Sequence, residues 1–194
     1  SDCGYPDKRL CGAGVAFQLS RALIGSLGWP EKRVRGLTIS FLKMAAIATV
    51  ADVVPLLGEN RIIVKNGLRG LNDVRNHGLR ALLDVSGFTA DTPPTAEGIA
   101  FRVAPRINAA GRMANARDAI EMFLTSDPEL ARTIAADLHG LNRERQQTEA
   151  AIVKEILEEC GRTPVDPSDA ALVFSGEGWH RGVVGIVASR LVER

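Results

Sequence analysis

Two arginines, an asparagine and a glycine lie close together near the middle of the chain, in the segment A-P-R-I-N-A-A-G-R-M of residues 104–113. The guanidinium groups of Arg106 and Arg112 carry a planar set of donors that suits phosphate oxygens. Asn108 can both donate and accept a hydrogen bond, and Gly111 would let a ligand approach the backbone closely. Because the segment has little periodic pattern, it fits equally well a loop whose arginines pair with nearby carboxylates. The residue types alone leave both interpretations open.

Two other side chains could act on a phosphate ester. Asp52 ends a long apolar segment, where burial and the negative end of a helix dipole would both disfavour a carboxylate. A bound divalent cation would remove both penalties, although residue type alone favours a capping role or an arginine partner. His180 stands between a glycine-rich turn and a predicted helix, where free backbone N–H groups bind anions, and capping of that helix explains it equally well. His77 and His139 have no partner pattern and are interpreted as structural.

Most of the chain has the apolar periodicity of helices. In the first predicted helix, Val15, Leu19, Leu23 and Ile24 should form the buried face. The predicted helices before the longest one cover residues 11–27, 37–51, 60–72, 77–85, 95–103 and 118–124.

The longest predicted helix runs from Asp127, an N-cap followed by proline, to about Cys160. It is apolar at both ends and wholly polar over residues 142–147, which suits a strut that connects two lobes; an ordinary surface helix with a charged turn is the alternative. Residues 170–175, A-A-L-V-F-S, then predict a short buried strand, and residues 181–192 predict a last helix.

Composition sets broad limits. The 194 residues are 45% hydrophobic, which is enough for a core, and their net charge of +1 neither indicates nor excludes a nucleic-acid partner. The three cysteines have no metal-binding spacing and their odd number argues against a disulfide framework, which favours a reducing, cytoplasmic location. No signal peptide is visible. The apolar run of residues 37–57 contains Lys43 and Asp52, and charges are costly in lipid, so we interpret it as a buried helix and expect no membrane partner.

Four segments, in the same order along the chain, resemble motifs of RecJ-type exonucleases in the DHH phosphoesterase superfamily. Residues 11–17, C-G-A-G-V-A-F, resemble the stretch after the Asp-His-His motif of that family, and residues 48–56, A-T-V-A-D-V-V-P-L, resemble its fourth catalytic motif. Residues 104–113 are similar to its P-R-I-N-A-x-G-R motif, and residues 178–190, G-W-H-R-G-V-V-G-I-V-A-S-R, to the opening of the DHH-associated domain.

The resemblance implies an α/β fold of the DHH type, of which this segment should be predominantly α-helical with a short β-strand near the C-terminus. Residues 1–125 would be the C-terminal part of the catalytic domain, residues 126–161 a long connecting helix, and residues 162–194 the start of the DHH-associated domain. The Asp-His-His triplet and the Asp-x-Asp loop of the family are absent from the chain. We therefore interpret the chain as an internal fragment that is inactive in isolation.

The same resemblance implies a single-stranded-DNA-specific 5′→3′ exonuclease that hydrolyses phosphodiester bonds with Mn²⁺ or Mg²⁺, in DNA repair and recombination. Asp52 would be a metal ligand, Arg106, Asn108 and Arg112 would bind DNA phosphate, and His180 would be catalytic. Single-stranded DNA is the expected partner, with a single-strand binding protein as a further one. Two alternatives stay open: another DHH phosphoesterase acting on nano-RNA or nucleotides, and a degenerate member serving as a non-catalytic scaffold.

Overall fold

The computed structural model describes residues 4–89, 91–162 and 169–192, and helices account for most of them. A π-helical turn, Ile99–Val103, joins the fifth helix to the sixth. The helices in chain order are α1 (Gly12–Ser26), α2 (Glu31–Ala51), α3 (Gly58–Gly70), α4 (His77–Val85), α5 (Ala96–Gly98), α6 (Ala104–Met113), α7 (Ala116–Leu124), α8 (Pro128–Arg162) and α9 (Val184–Val192). The predominantly helical composition that the sequence predicted is confirmed.

The short strand expected at residues 170–175 is not found. This segment is irregular chain that leads into a turn at residues 177–178, and no residue of the described ranges is in a strand. Val173, in the middle of the expected strand, is 92% exposed. A strand needs a neighbouring strand to pair its backbone groups, and the described residues offer none, so an apolar run alone was insufficient evidence.

The face of α1 that packs inward differs from the predicted one. Gly14, Phe17 and Ile24 are its buried residues, whereas Val15, Leu19 and Leu23 are 56%, 62% and 57% exposed. Only Ile24 of the predicted stripe is correct. The helix has apolar residues on more than one side, and periodicity cannot tell which of two apolar sides meets a neighbouring helix.

The predicted buried helix at residues 37–51 begins earlier, at Glu31, and only its C-terminal half is buried. By length and composition alone, α2 is apolar enough to cross a membrane. Its buried half packs instead against α3, so closely that a Cβ on Gly67 would overlap the side chain of Ala46. Lys43, on the same half, donates a hydrogen bond to the carbonyl oxygen of Asp73, and its burial lowers the pKa of its ammonium group.

The long helix α8 is continuous through Gly140, as predicted, and joins two separate hydrophobic clusters. At about 1.5 Å per residue, its 35 residues span roughly 50 Å. Its first half packs with α4, α6 and α7 in the larger cluster, through residues such as Ala135 and Leu138. Its second half forms the smaller cluster with the residues that follow the irregular segment. The members of the smaller cluster's core are Ile152, Val153, Ile156, Val183 and Val187.

Candidate functional site

The segment of residues 104–113 is a helix, α6, and not the loop that its weak periodicity allowed. It continues the helical stretch that Thr95 begins, where the Thr95 hydroxyl accepts a hydrogen bond from the backbone nitrogen of Gly98 at 3.0 Å. The intervening π-helical turn ends at Val103, and α6 begins at the next residue. Such turns are rare overall, and those that occur are often at functional sites. Gly111 lies within α6 and has no positive φ, so the backbone freedom expected of it is not used.

Arg106 is held by two neutral acceptors. Its Nε donates to Nδ1 of His139 at 3.1 Å, and its Nη1 donates to the carbonyl oxygen of Arg102. Burial, and then the charge of Arg102, lower the pKa of its guanidinium group. Among the described contacts Arg106 has no carboxylate partner, so the alternative of a local ion pair is wrong for this residue. His139, which the sequence left as a structural histidine, is therefore a direct partner of a candidate phosphate-binding residue.

Arg112 connects α6 to the C-terminal motif. Its side chain is exposed, and Nη1 donates to the carbonyl oxygen of Gly182 at 3.3 Å. The Cα of Gly182 approaches the backbone of Arg112 so closely that a side chain at position 182 would overlap it. These two residues are 70 positions apart in sequence. Asn108, one turn before Arg112, is exposed on the same helix.

His180 occupies the turn that precedes α9. Its Nδ1 accepts a hydrogen bond from the backbone nitrogen of Gly182 at 3.1 Å, and its carbonyl oxygen accepts from the nitrogens of Val183 and Val184 at 2.8 and 3.2 Å. The histidine therefore binds backbone nitrogens at the start of α9, as the alternative of a helix-capping role predicted. It also stands two residues from the glycine that contacts Arg112, so the fold brings Arg112 and His180 into one region.

Asp52 is the exposed C-cap of α2, and its backbone nitrogen donates to the carbonyl oxygen of Ala48 at 2.9 Å. The burial penalty expected for its carboxylate is absent, because the residue is in contact with solvent. The next residue, Val53, has φ of 53° and is 87% exposed. A β-branched residue in this left-handed region is an outlier, and such strain is concentrated at active sites and ligand clamps.

Polar contacts hold the start of α1, and the segment before it, against α2 and the turn that follows α2. Cys11 caps α1 by accepting from the nitrogen of Gly14 at 3.3 Å, and its Sγ lies 3.6 Å from Oγ1 of Thr49. The buried side chain of Asn60 donates to the carbonyl oxygens of Arg9 and Pro55 at 2.8 and 3.1 Å. The segment before α1 is thus fixed against the turn that carries Asp52.

Comparison with known proteins identifies the family. No family model matches the chain. A single-stranded-DNA-specific exonuclease RecJ of Bacillus subtilis is 40% identical over 192 residues, or 99% of this chain, and that of Thermus thermophilus is 41% identical over 182 residues, or 94% of the chain. A crystal structure of exonuclease RecJ bound to manganese covers 98% of the chain with a TM-score of 0.82 and 40% identity. Over the region that it spans, this chain belongs to the RecJ family.

The chain spans only part of those RecJ proteins. It covers 23% of the Bacillus subtilis protein, 25% of the Thermus thermophilus protein and 46% of the manganese-bound chain. A second crystal structure, of Thermus thermophilus RecJ in complex with Mg²⁺, gives the same TM-score of 0.82 at 39% identity. The match confirms the family that the four motif segments predicted; the roles of the individual side chains stay predictions.

The RecJ-type chain also contains a buried ion-pair group that its sequence did not reveal. The side chain of Glu149 is 4% exposed, and its two oxygens accept from Arg145 and from Arg190, each at 2.8 Å. Arg145 also donates to the buried Asn142. Within the polar stretch of residues 142–147, Asn142 is buried and Arg145 is half-buried, whereas the other four residues are exposed. Arg190 lies in α9, so this group fastens the C-terminal motif to the long helix.

The structure brings some of the RecJ-type candidates together and leaves others separate. Arg112 and the turn of His180 are in contact, and Arg106 meets His139. No described polar contact joins Asp52 to either arginine, although α2 and α6 contact one another and share the larger cluster. Their convergence on one phosphate stays a prediction. Among the described residues, no group of three or more metal-ligating side chains forms.

Proposed function

We propose that the complete protein containing this chain is a metal-dependent, single-stranded-DNA-specific exonuclease. The observation that supports this most directly is the 40% identity to a RecJ over 99% of the chain, together with the fold match to manganese-bound RecJ. Its polarity would be 5′→3′, and its role would lie in DNA repair and recombination.

Asp52 is our proposed metal ligand in this chain. Its carboxylate is a hard oxygen donor of the kind that Mg²⁺ and Mn²⁺ prefer, it is exposed, and it adjoins the strained Val53. When bound, such a metal activates water and neutralises charge on a phosphodiester. Asp52 offers one ligand only, and the described residues add no cluster around it, so the chain fits the metal as a contributor of one ligand and not as its complete site.

The phosphate contacts are assigned to α6. Arg112 and Asn108 are exposed on this helix, and Arg106 is partly buried beside His139. Their donors would hold the DNA backbone without reading its sequence, because phosphates carry no base information. His180 would act on the substrate through Nε2, since its Nδ1 already accepts a backbone hydrogen bond. A phosphate bound near Arg112 would also lie close to the start of α9.

The proposed domain organisation is the one that the resemblance to the RecJ family implies. Residues 1–125 would complete a catalytic domain, residues 126–161 would connect it to the second domain, and residues 162–194 would begin that domain. Single-stranded DNA is the proposed substrate, a single-strand binding protein the proposed protein partner, and the cytoplasm the proposed location.

The test compares the complete protein with its Asp52→Asn variant on 5′-labelled and 3′-labelled single-stranded oligonucleotides in Mn²⁺. We expect the parent to shorten the strand from its 5′ end. The variant should cleave at least about 100-fold more slowly, because it lacks the proposed metal ligand; each tenfold corresponds to about 1.4 kcal/mol in the activation barrier. DNA binding should persist, because the phosphate contacts are on another helix. Cleavage within tenfold of the parent would show that Asp52 is not a ligand; hydrolysis of di- to tetranucleotides alone would favour the nano-RNA alternative.

A further inference from the structure

We propose that His139 is a positioning residue, whose neutral imidazole holds Arg106 in the orientation that contacts DNA phosphate. The proposal rests on the phosphate role assigned to Arg106 above, and adds a residue from α8 that the motif segments do not include. His139 lies 33 positions from Arg106 in sequence. It reaches the arginine because α6 packs along α8.

The hydrogen bonds leave one side of the guanidinium group available. Nε is used by His139 and Nη1 by the Arg102 carbonyl oxygen, whereas no described contact uses Nη2. The edge formed by the two Nη atoms therefore retains donors for two phosphate oxygens, which is the bidentate geometry that favours arginine at phosphate sites. Without His139, the long side chain would regain several rotamers, and fixing them again on binding would cost free energy.

The choice of acceptor also matters for charge. Elsewhere in this structure, Arg145 and Arg190 are held by the carboxylate of Glu149, which neutralises much of their charge. Arg106 is instead held by an imidazole and a carbonyl, both of which are neutral. The charges that lower the pKa values of this guanidinium and imidazole, in addition to burial, are those of Arg102, Arg106 and Arg143, all cationic. An arginine fixed in this way keeps its positive charge for a ligand, and among the described residues no carboxylate is hydrogen-bonded or ion-paired to it.

His139 can accept this hydrogen bond only when Nδ1 carries no proton, so that the hydrogen is on Nε2. Burial, and then the charges of Arg106 and Arg143, lower the pKa of its imidazole. The neutral form is therefore favoured at neutral pH, as the geometry requires.

The experiment measures the affinity of the complete protein for a single-stranded oligonucleotide as a function of salt concentration. Four variants are compared with the parent: Arg106→Ala, His139→Leu, His139→Asn, and the double variant Arg106→Ala/His139→Leu. His77→Leu is the matched control, because His77 is exposed at the start of α4 and no described hydrogen bond or ion pair joins its side chain to Arg106 or His139. Thermal unfolding of each variant reports whether the fold is retained.

We expect Arg106→Ala to weaken binding about tenfold and to reduce the salt slope by about 0.7, the value for one phosphate contact on a single strand. His139→Leu should reproduce most of that loss, and the double variant should bind no more weakly than Arg106→Ala alone, since both changes remove the same interaction. His139→Asn should restore binding, because its Oδ1 can accept from Nε as Nδ1 does. A histidine that merely filled space would not be rescued by the smaller, polar asparagine.

The outcomes distinguish the positioning role of His139 from the phosphate-binding role of Arg106. Impaired binding by Arg106→Ala with parental binding by His139→Leu, or additive losses in the double variant, would overturn the positioning role and leave the phosphate role intact. Parental binding and slope by Arg106→Ala would overturn the phosphate role itself, and with it this proposal. A weak His139→Leu variant that His139→Asn fails to rescue, with the same melting temperature, would also contradict it.

Discussion

Replacing Gly182 by alanine should impair nuclease activity by displacing Arg112. A Cβ at position 182 would lie 2.3 Å from the carbonyl oxygen of Arg112, whereas ordinary van der Waals contact begins at 3.4 Å. The clash is with backbone and not with a flexible side chain, so the two segments must separate by about 1 Å, a misplacement that can cost about 100-fold in rate. Gly182 also accepts the hydrogen bond from Nη1 of Arg112 at 3.3 Å, which that movement would break.

The assay is steady-state cleavage of labelled single-stranded DNA by the complete protein, with Gly185→Ala as the control. Gly185 is three residues away in α9, and a Cβ there would meet no atom within 4 Å; removing a helical glycine should even stabilise the protein by about 0.5–1 kcal/mol. The overlap at Gly182 should destabilise it by about 1–3 kcal/mol, so activity is compared well below the unfolding transition. If Gly182→Ala were as active as Gly185→Ala, Arg112 would not depend on this contact, and our reasoning would be refuted.

Two further outcomes are expected. Glu149→Ala should lower the free energy of unfolding, measured in urea, by about 3 kcal/mol, because it leaves the largely buried Arg145 without its carboxylate partner. Arg190→Ala should lower it by only about 1 kcal/mol, because Glu149 keeps Arg145 and the Arg190 side chain is 52% exposed. Equal losses would contradict this difference between the two ion pairs. The 194-residue chain alone should release no nucleotides from labelled single-stranded DNA in Mn²⁺, since Asp52 is its single proposed ligand, and clear metal-dependent release would contradict that assignment.

Helices with both a strong stripe and clear end signals were predictable from the sequence. The helix predicted at residues 77–85 has those bounds in the structure, because Asn76 accepts from the nitrogen of Leu79 at its start and Gly87, with φ of 75°, ends it. Both signals are local, so they need no knowledge of the rest of the fold.

The helix α6 was not predictable in this way. Its sequence contains proline, asparagine and glycine, which have weak helix propensity, and its apolar residues form no clear stripe. Packing decides its conformation: Ala109 and Ala110 are fully buried, and small side chains let α6 lie close to α8. The reverse error occurred at residues 170–175, where an apolar run predicted a strand but no partner strand is present in the described residues.

The candidate site likewise has a part that the sequence could predict and a part that it could not. The residues Asp52, Arg106, Arg112 and His180 could be nominated because a resemblance identified their motifs. Their partners could not, since the bonds Arg106–His139 and Arg112–Gly182 join residues 33 and 70 positions apart. Nothing local in the sequence distinguishes His139 from His77, and a pairing across two packed helices depends on the register between them.

The long helix α8 anchors two of the motif segments, residues 104–113 and residues 178–190. His139 holds Arg106 of α6, and Glu149, ten residues further along α8, holds Arg190 of α9; at about 1.5 Å per residue these anchors are about 15 Å apart. Gly140 lies between them and costs about 1 kcal/mol relative to alanine in a helix, yet α8 stays continuous because buried residues flank it on both sides. The helix α8 therefore sets the distance between the two motif segments, and the direct contact between Arg112 and Gly182 fixes their position relative to one another.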